Sequence, residues 1–387
     1  MVELSSCVLA VDVGTTTVSF AAVERCTSRV VRRKDILNPQ MCFGSDVISR
    51  IERAPDVARA GLLELIDRVR TDWQIDRRSS ITAVGNTVMA HFLLGRDPTG
   101  LGVHPYRSQL ATGKILSAVR QIGTARLRIR MLPLLGRFVG SDCCAAILAA
   151  GMHRSRQLSL LVDAGTNGEV ALGNRERILV CSTAAGPAFE GATLECGSIA
   201  CPGAVSSVRV RSGRMLVETI QGKPATGICG SGVLAAVAAG LRLGLIESSG
   251  RLRSGERLLL GKTGLYISQR DLREIQLAKA AIAAGIRILL KCIGARPADI
   301  ERIFLTGRFG GAADLHAALI IGLLPNTTAR KRQHRNLALR GAVIVAANSR
   351  RLTVARTLAD RCREILLSGR PDFEQEFISA MEFAPWG

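Results

Sequence analysis

The sequence predicts an α/β fold with two lobes. Short β-branched runs ending in Gly-rich turns recur along the 387 residues as "CVLAVDVGTTT", "SITAVGNT", "LSLLVDAGTNGEVALG" and "RIFLTGRFGG". Their length and flanking turn residues read as buried strands. Between them lie segments with apolar residues at helical spacing, among them "DVARAGLLELIDRVRTDW" and "IQLAKAAIAAGIRILLKC", and such alternation marks the α/β class. The third observation is a duplication. "VDVGTTTVSFAAV" and "VDAGTNGEVALGN", about 150 residues apart, each give a strand with an aspartate, a glycine turn, a hydroxyl or amide cluster and a second strand. The expected division is a first lobe over 1–152 and a second over 153–387, closely packed with a cleft between them. The C-terminal helical segment is expected to pack back towards the first lobe.

Composition narrows the class. With 47% apolar and 22% charged residues the chain has no mark of disorder. No apolar run reaches the roughly 18 residues a membrane span needs, since "GVLAAVAAGLRLGLIE" is broken by Arg242. An acid, Glu3, stands where a signal peptide carries basic residues, which predicts a cytoplasmic address without membrane contact. The eleven cysteines are scattered, with no CxxC pair, as expected of small core residues in a reducing compartment. The formal charge of +20 invites a nucleic-acid reading. Yet 45 of the 52 basic residues are arginines dispersed with little aromatic interleaving, so no nucleic-acid partner is expected. A basic surface steering an acidic protein partner is the second reading of that charge.

Asp12 lies inside a run that otherwise reads as a buried strand, where a carboxylate costs several kcal/mol unless a cation or hydrogen bonds offset it. Gly14 and Gly165 permit unusual backbone angles and close ligand approach. Thr15, Thr16, Thr166 and Asn167 offer hydroxyl, amide and N–H donors for phosphate oxygens. Asp12 and Asp163, hard oxygen donors with no His or Cys beside them, suit Mg²⁺ held partly through water. A single such turn would read as an aspartate bonding its own loop. Two copies in opposite halves read as a nucleotide grip.

The residues resemble the superfamily of sugar kinases, heat-shock chaperones and actin (ASKHA), whose five elements occur here in order. "DVGTTT" resembles the first phosphate hairpin and "FVGSDCCAAILAAG" at 138–151 the first connecting helix. "DAGTNGE" resembles the second hairpin, "IFLTGRFGG" at 303–311 the adenosine loop, and "NLALRGAVIVAANS" at 336–349 the second connecting helix. Small residues Ala145, Ala146, Gly341 and Ala342 would let the two helices cross closely. The resemblance implies a two-lobed actin-like ATPase fold, a duplicated ribonuclease H-like unit with an interlobe nucleotide cleft, binding ATP and Mg²⁺. Within the superfamily, "NPQMCFGSDVISRI", "VGNTVMAHFLLG", "AAGPAFEGA" and "GICGSG" are similar to the actin-like C-terminal domain of reductive activators of corrinoid enzymes. That likeness implies slow ATP hydrolysis coupled to one-electron reduction of cob(II)alamin on a corrinoid protein of a methyltransferase system. Typical members begin with a ferredoxin-like domain, whereas this chain starts at the actin-like part. The iron–sulfur cluster is therefore expected on a separate domain or partner, with a ferredoxin-like protein as electron donor.

The resemblance also assigns roles. Asp12 and Asp163 would be metal-side carboxylates, and Asp142 a base or metal partner, with an ordinary helix cap as the alternative. Glu169 joins them as a candidate catalytic carboxylate; Glu190 sits in a loop that could equally face a partner. Gly230, Ser231 and Gly232 open a helix whose N–H groups could meet an anion or ribose, or form only a tight turn. Lys279 would touch the ribose or else snorkel at the surface. Gly307, Gly310 and Gly311 belong to the adenosine loop, where Arg308 replaces the usual glycine. Cys229 matches, in place, a cluster-ligating cysteine of dehydratase activators that bridges two subunits, which leaves a homodimer open. Asn86 and His91 are expected to orient a strand end. The competing readings are a small-molecule kinase of the same fold and a non-catalytic nucleotide-dependent assembly module.

Overall fold

The computed structural model describes residues 6–25, 27–44, 49–51, 55–165, 167–191, 193–307 and 314–387. Its strands are β1 (Cys7–Val13), β2 (Thr17–Glu24), β3 (Val30–Leu37), β4 (Ile81–Gly85), β5 (Leu116–Ile122), β6 (Ala125–Met131), β7 (Ser159–Ala164), β8 (Gly168–Gly173) and β9 (Ile178–Thr183). Then come β10 (Ala204–Arg211), β11 (Arg214–Thr219), β12 (Gly227–Ile228), β13 (Arg257–Leu259), β14 (Tyr266–Ser268), β15 (Arg302–Thr306), β16 (Arg330–Gln333) and β17 (Cys362–Glu364). The α-helices are α1 (Pro55–Asp72), α2 (Thr87–Leu94), α3 (Ser141–Ala150), α4 (Gly230–Arg242), α5 (Gln269–Ile293), α6 (Leu315–Ile320), α7 (Leu337–Ala347), α8 (Arg351–Ala359) and α9 (Pro371–Ser379).

The chain forms two compact units, neither continuous in sequence. Unit 1 comprises 1–156, 174–180 and 336–364; unit 2 comprises 157–173, 181–335 and 365–387. The segment 336–364, with α7, α8 and β17, therefore belongs with the N-terminal part, while 365–387 belongs with unit 2.

Unit 1 is built on a sheet of order β3-β2-β1-β4-β6-β5. Its core is filled by alternate residues of these strands, Leu9, Val11, Val13, Ile81, Ala83 and Ile129, against α1 and α2. Helical spacing on α1 brings Leu62, Ile66 and Val69 onto this face, and Trp73 just beyond the helix meets Phe20 edge-on at 6.5 Å. Truncating Ile66 to alanine there should cost about 2–5 kcal/mol.

Unit 2 repeats the central motif. The strands β8-β7-β15-β16 are neighbours in the same sense as β2-β1-β4-β6. In both sets the first pair is antiparallel and the next two are parallel. The long helix α5 starts at a capping box of Ser268 and Asp271 and stops at left-handed Gly294, φ 73°. Its small buried residues let the β7–β8 hairpin sit close. A Cβ at Gly168 would fall 2.7 Å from Ile282 Cγ1 and 2.5 Å from Thr183 Oγ1, so only glycine fits there.

Candidate functional site

In unit 1, Asp12 is the penultimate residue of β1, half-buried, opposite Ser19 on β2 and Val84 on β4. The turn after it closes by Gly14 N–H donating to the Thr17 carbonyl at 3.0 Å, and a Cβ at position 14 would lie 2.8 Å from that same oxygen. Three asparagines hold this turn. Each caps a helix by accepting a backbone N–H at its Oδ1: Asn38 from Gln40, Asn86 from Met89 and Asn336 from Leu339. Each then donates from Nδ2 to the hairpin: Asn38 to the Gly14 carbonyl at 2.9 Å, Asn86 to Thr15 Oγ1 at 3.2 Å and Asn336 to Asp12 Oδ2 at 2.7 Å. A carboxamide accepts at one end and donates at the other without charge. An aspartate would cap as well but would set a second negative charge against Asp12. Thr16 is fixed through its carbonyl, which accepts from Asn38 N–H at 2.9 Å.

The entry to α3 is packed with equal tightness. A Cβ at Gly140 would lie 2.3 Å from the Gly85 carbonyl, and Ser141 Oγ bonds both the N–H and the carbonyl of Gly85 at 3.1 Å. Glu364 of β17 accepts the N–H groups of Arg137, Phe138 and Val139 at 2.7, 2.9 and 3.2 Å, holding the loop that leads into the helix. Gly136 leaves room for it, since a Cβ there would fall 2.2 Å from Glu364 Cδ. Asp142, in the first turn of α3, accepts Cys143 N–H at 2.8 Å. Burial nevertheless pushes its carboxyl up to about 6, with the backbone hydrogen bonds opposing in part. Such a group can exchange a proton near neutrality, as a base must. Further along, α3 and α7 cross closely, because Gly341 sits where a Cβ would be 2.1 Å from the Ala145 carbonyl.

In unit 2, Asp163 is the penultimate residue of β7, as Asp12 is of β1. It lies opposite Glu169 on β8 and Thr306 on β15. Gly307, one residue past the aspartate's partner Thr306, has φ +95°, and a Cβ there would lie 2.5 Å from Asp163 Oδ1. Gly85 stands in the matching place of unit 1, one past Val84, with its Cβ position 2.8 Å from the Val13 carbonyl. The duplication thus extends to a third strand and its terminal glycine. Gly165 and Asn167 form the turn. Thr166, Arg308, Gly310 and Gly311 lie outside the described residues, as does the side chain of Glu190.

Other expected residues are placed differently. Gly230, Ser231 and Gly232 are buried at the start of α4, where a Cβ at 232 would fall 2.1 Å from the Val205 carbonyl. At Gly232 the absence of a side chain is accounted for by packing on β10. Cys229 Sγ donates to the Val205 carbonyl at 3.2 Å. Lys279 is no surface lysine: it is 1% exposed, donates to the Glu382 carbonyl and lies 5.8 Å from the centre of the Phe383 ring. Burial lowers its ammonium to about 7, chiefly against the opposing pull of Glu382 and with help from Arg287. His91 is fully buried; Nδ1 lies 2.7 Å from the Thr87 carbonyl and Nε2 accepts Gln109 N–H at 3.2 Å, a neutral structural imidazole with its burial-lowered pKa.

The donor set suits Mg²⁺. Among the described residues no group of three or more His, Cys, Asp or Glu converges, and Mg²⁺ ordinarily takes one or two carboxylates and fills its shell with water and phosphate. Asp12 and Asp163 would each offer a hard carboxylate oxygen to such an ion, which would neutralise phosphate charge. Among the described residues no helix is long and apolar enough to cross a membrane.

The repeated strand order and twin aspartate hairpins define a protein of the ASKHA class. Residues 157–386 match the model of the C-terminal domain of RACo, the ASKHA domain, and residues 7–155 match the RACo middle region. The chain belongs to this family of corrinoid activators. Relatives include the corrinoid activation enzyme RamQ of Eubacterium limosum, 33% identical over 82% of this chain and 60% of that protein. The methylated amine-specific corrinoid protein reductase of Methanosarcina barkeri is 28% identical over 76% of this chain and 62% of that protein. The chain thus spans about three-fifths of the length of these curated relatives. A solved reductive activator for a corrinoid, iron–sulfur protein superposes over 100% of this chain and 67% of its own, with TM-score 0.85 and 28% identity.

Proposed function

We propose that the chain binds ATP with Mg²⁺, hydrolyses it slowly, and uses the accompanying conformational change to drive reductive activation of a corrinoid protein of a methyltransferase system. The observation that carries this reading is the repeated placement of Asp12 and Asp163, each penultimate in its strand and one residue short of a tightly packed glycine on the neighbouring parallel strand, in a chain of the corrinoid-activator family. Asp12, held by Asn336, and Asp163, opposite Glu169, are the metal-side carboxylates for the Mg²⁺-bound nucleotide. Gly14, Thr15, Thr16, Gly165, Thr166 and Asn167 meet its phosphates, and Asp142 takes the proton of the attacking water. Gly307, Gly310 and Gly311 lie along adenosine. Lys279 is left out, because a ribose contact would have to break its bond to Glu382. The electron comes from an iron–sulfur centre on another domain or a ferredoxin-like partner, and the protein works in the cytoplasm.

The test is ATP turnover with and without a methyltransferase corrinoid protein. Stimulation by the cob(II)alamin form, with cob(I)alamin appearing spectroscopically when a reduced ferredoxin is supplied, supports the proposal. Appearance of a phosphorylated small molecule would favour a kinase, and unchanged turnover a nucleotide-dependent assembly module.

A further inference from the structure

Helix α3 carries Asp142 in its first turn but has no side-chain cap of its own. Its N-cap residue is Gly140, whose Cβ would lie 2.3 Å from the Gly85 carbonyl and 2.4 Å from Asn86 Cα, so no serine, threonine or aspartate fits there. A helix start lacking such a side chain loses its usual anchor. Something else fixes where this turn begins.

Two contacts take over. Ser141 Oγ bonds both the N–H and the carbonyl of Gly85, which pins the helix to the end of β4. The loop ahead of it closes around the Val139 carbonyl and the Glu364 carboxylate. Val139 accepts the N–H groups of Leu135 and Gly136 at 3.0 and 2.9 Å. Glu364 accepts Arg137 N–H at Oε2 and those of Phe138 and Val139 at Oε1. Five successive N–H groups are thereby met, three of them by one distant side chain.

Successive N–H groups aimed at one place form a concavity for an anion, and the chain fills this one with its own carboxylate. Glu364 makes no ion pair among the described residues, so both its oxygens serve the loop. The space is matched to it, since a Cβ at Gly136 would fall 2.2 Å from Glu364 Cδ and 2.4 Å from each carboxylate oxygen. Hydrogen bonds to an ionised acceptor are about twice as strong as neutral ones. A glutamine would keep one accepting oxygen and turn an NH₂ group against the N–H facing the other.

We propose that Glu364 is a positioning residue, which fixes the loop 135–139 and through it the place of Asp142 at the head of α3. The effect on turnover rests on the reading of Asp142 as the base in ATP hydrolysis; the placement is a property of the nucleotide-free protein. Displacing a reacting group by about 1 Å costs about a hundredfold in rate, and Val139 stands three residues before Asp142.

The test uses the full chain and two readouts: the carboxyl carbon resonance of Asp142 without nucleotide, assigned with Asp142→Asn, and kcat and KM for ATP turnover. Glu364→Ala, checked for folding by circular dichroism, should shift the resonance and lower kcat about tenfold or more, with KM changed by less than about twofold. Glu364→Gln should fall between it and the native chain. Gly136→Ala should act as Glu364→Ala does, by pushing the carboxylate out, yet add nothing in the double variant Gly136→Ala/Glu364→Ala, where the space is free. If Glu364→Ala does not fold, Glu364→Gln and Gly136→Ala decide by the same resonance. A shifted resonance with unchanged turnover supports the placement and overturns the reading of Asp142 as the base. An unmoved resonance, or a Gly136→Ala effect undiminished in the double variant, overturns the proposal.

Discussion

The β1–β2 hairpin of unit 1 and the β7–β8 hairpin of unit 2 share strand order and aspartate position but differ in what surrounds the carboxylate. Asp12 faces a serine and receives the Asn336 amide. Asp163 faces Glu169 and has Gly307 pressed against it. The first aspartate accepts the neutral amide of Asn336, the cap of α7. The second has another carboxylate directly opposite it. The backbone geometry is repeated while the surroundings of the two carboxylates differ.

The largest effect should come from the glycines. Gly307→Ala forces a Cβ to 2.5 Å from Asp163 Oδ1 at φ +95°, combining overpacking with left-handed strain for a loss of about 3 kcal/mol. Gly85→Ala meets a carbonyl at 2.8 Å without that strain and should cost about 1–2 kcal/mol. Urea denaturation of both variants measures the contrast, and equal losses would break the comparison.

Asn336→Asp should come next. It keeps the helix cap but places an anion 2.7 Å from Asp12 Oδ2, and nucleotide affinity should fall about tenfold. Asn336→Ala, which only removes the donor, should lose less. If the aspartate variant binds as the native chain does, the amide is not positioning Asp12.

Asp142 gives a pH-dependent effect. Its folded pKa, near 6, lies above the unfolded value. The native state therefore holds its proton more tightly, and stability is lost as pH rises from about 4 through 6. Asp142→Asn should raise the melting temperature at pH 8, with the gain vanishing below pH 4, while ATP turnover drops. A gain that does not vary with pH would contradict the burial assigned to that carboxyl.

The smallest effect is expected at Glu169. Replacing it with glutamine removes a carboxylate facing Asp163 and should weaken the response of thermal stability to Mg²⁺. The equivalent Ser19→Ala change should leave the Mg²⁺ response unaltered.

Much of this arrangement was legible in the sequence. The strand periodicity, the glycine turns and the two DxGT-like strings gave both hairpins, and small residues marked the close crossing of α3 and α7, realised where Gly341 meets Ala145. The asparagine set was not. Asn86 was expected only to orient a strand end, and nothing local reveals that each amide nitrogen reaches the hairpin, in one case across 324 positions. Glu364 was hidden for the same reason: a lone acid in "CREILL" gives no hint that it gathers three N–H groups 225 to 227 residues upstream. Lys279 misled because its helical position does not show that the C-terminal segment returns over it. The discontinuous units, with 174–180 and 336–364 joined to the N-terminal part, are likewise a property of crossovers rather than of local pattern.

Calorimetric titration of ATP into the native chain and into Asp12→Asn and Asp163→Asn, with and without Mg²⁺, tests the central claim most directly. The account predicts one nucleotide per chain, bound only weakly without Mg²⁺, with the Mg²⁺-dependent gain lost in either variant. Binding that is equally tight without the metal, or a gain that survives both substitutions, would contradict it.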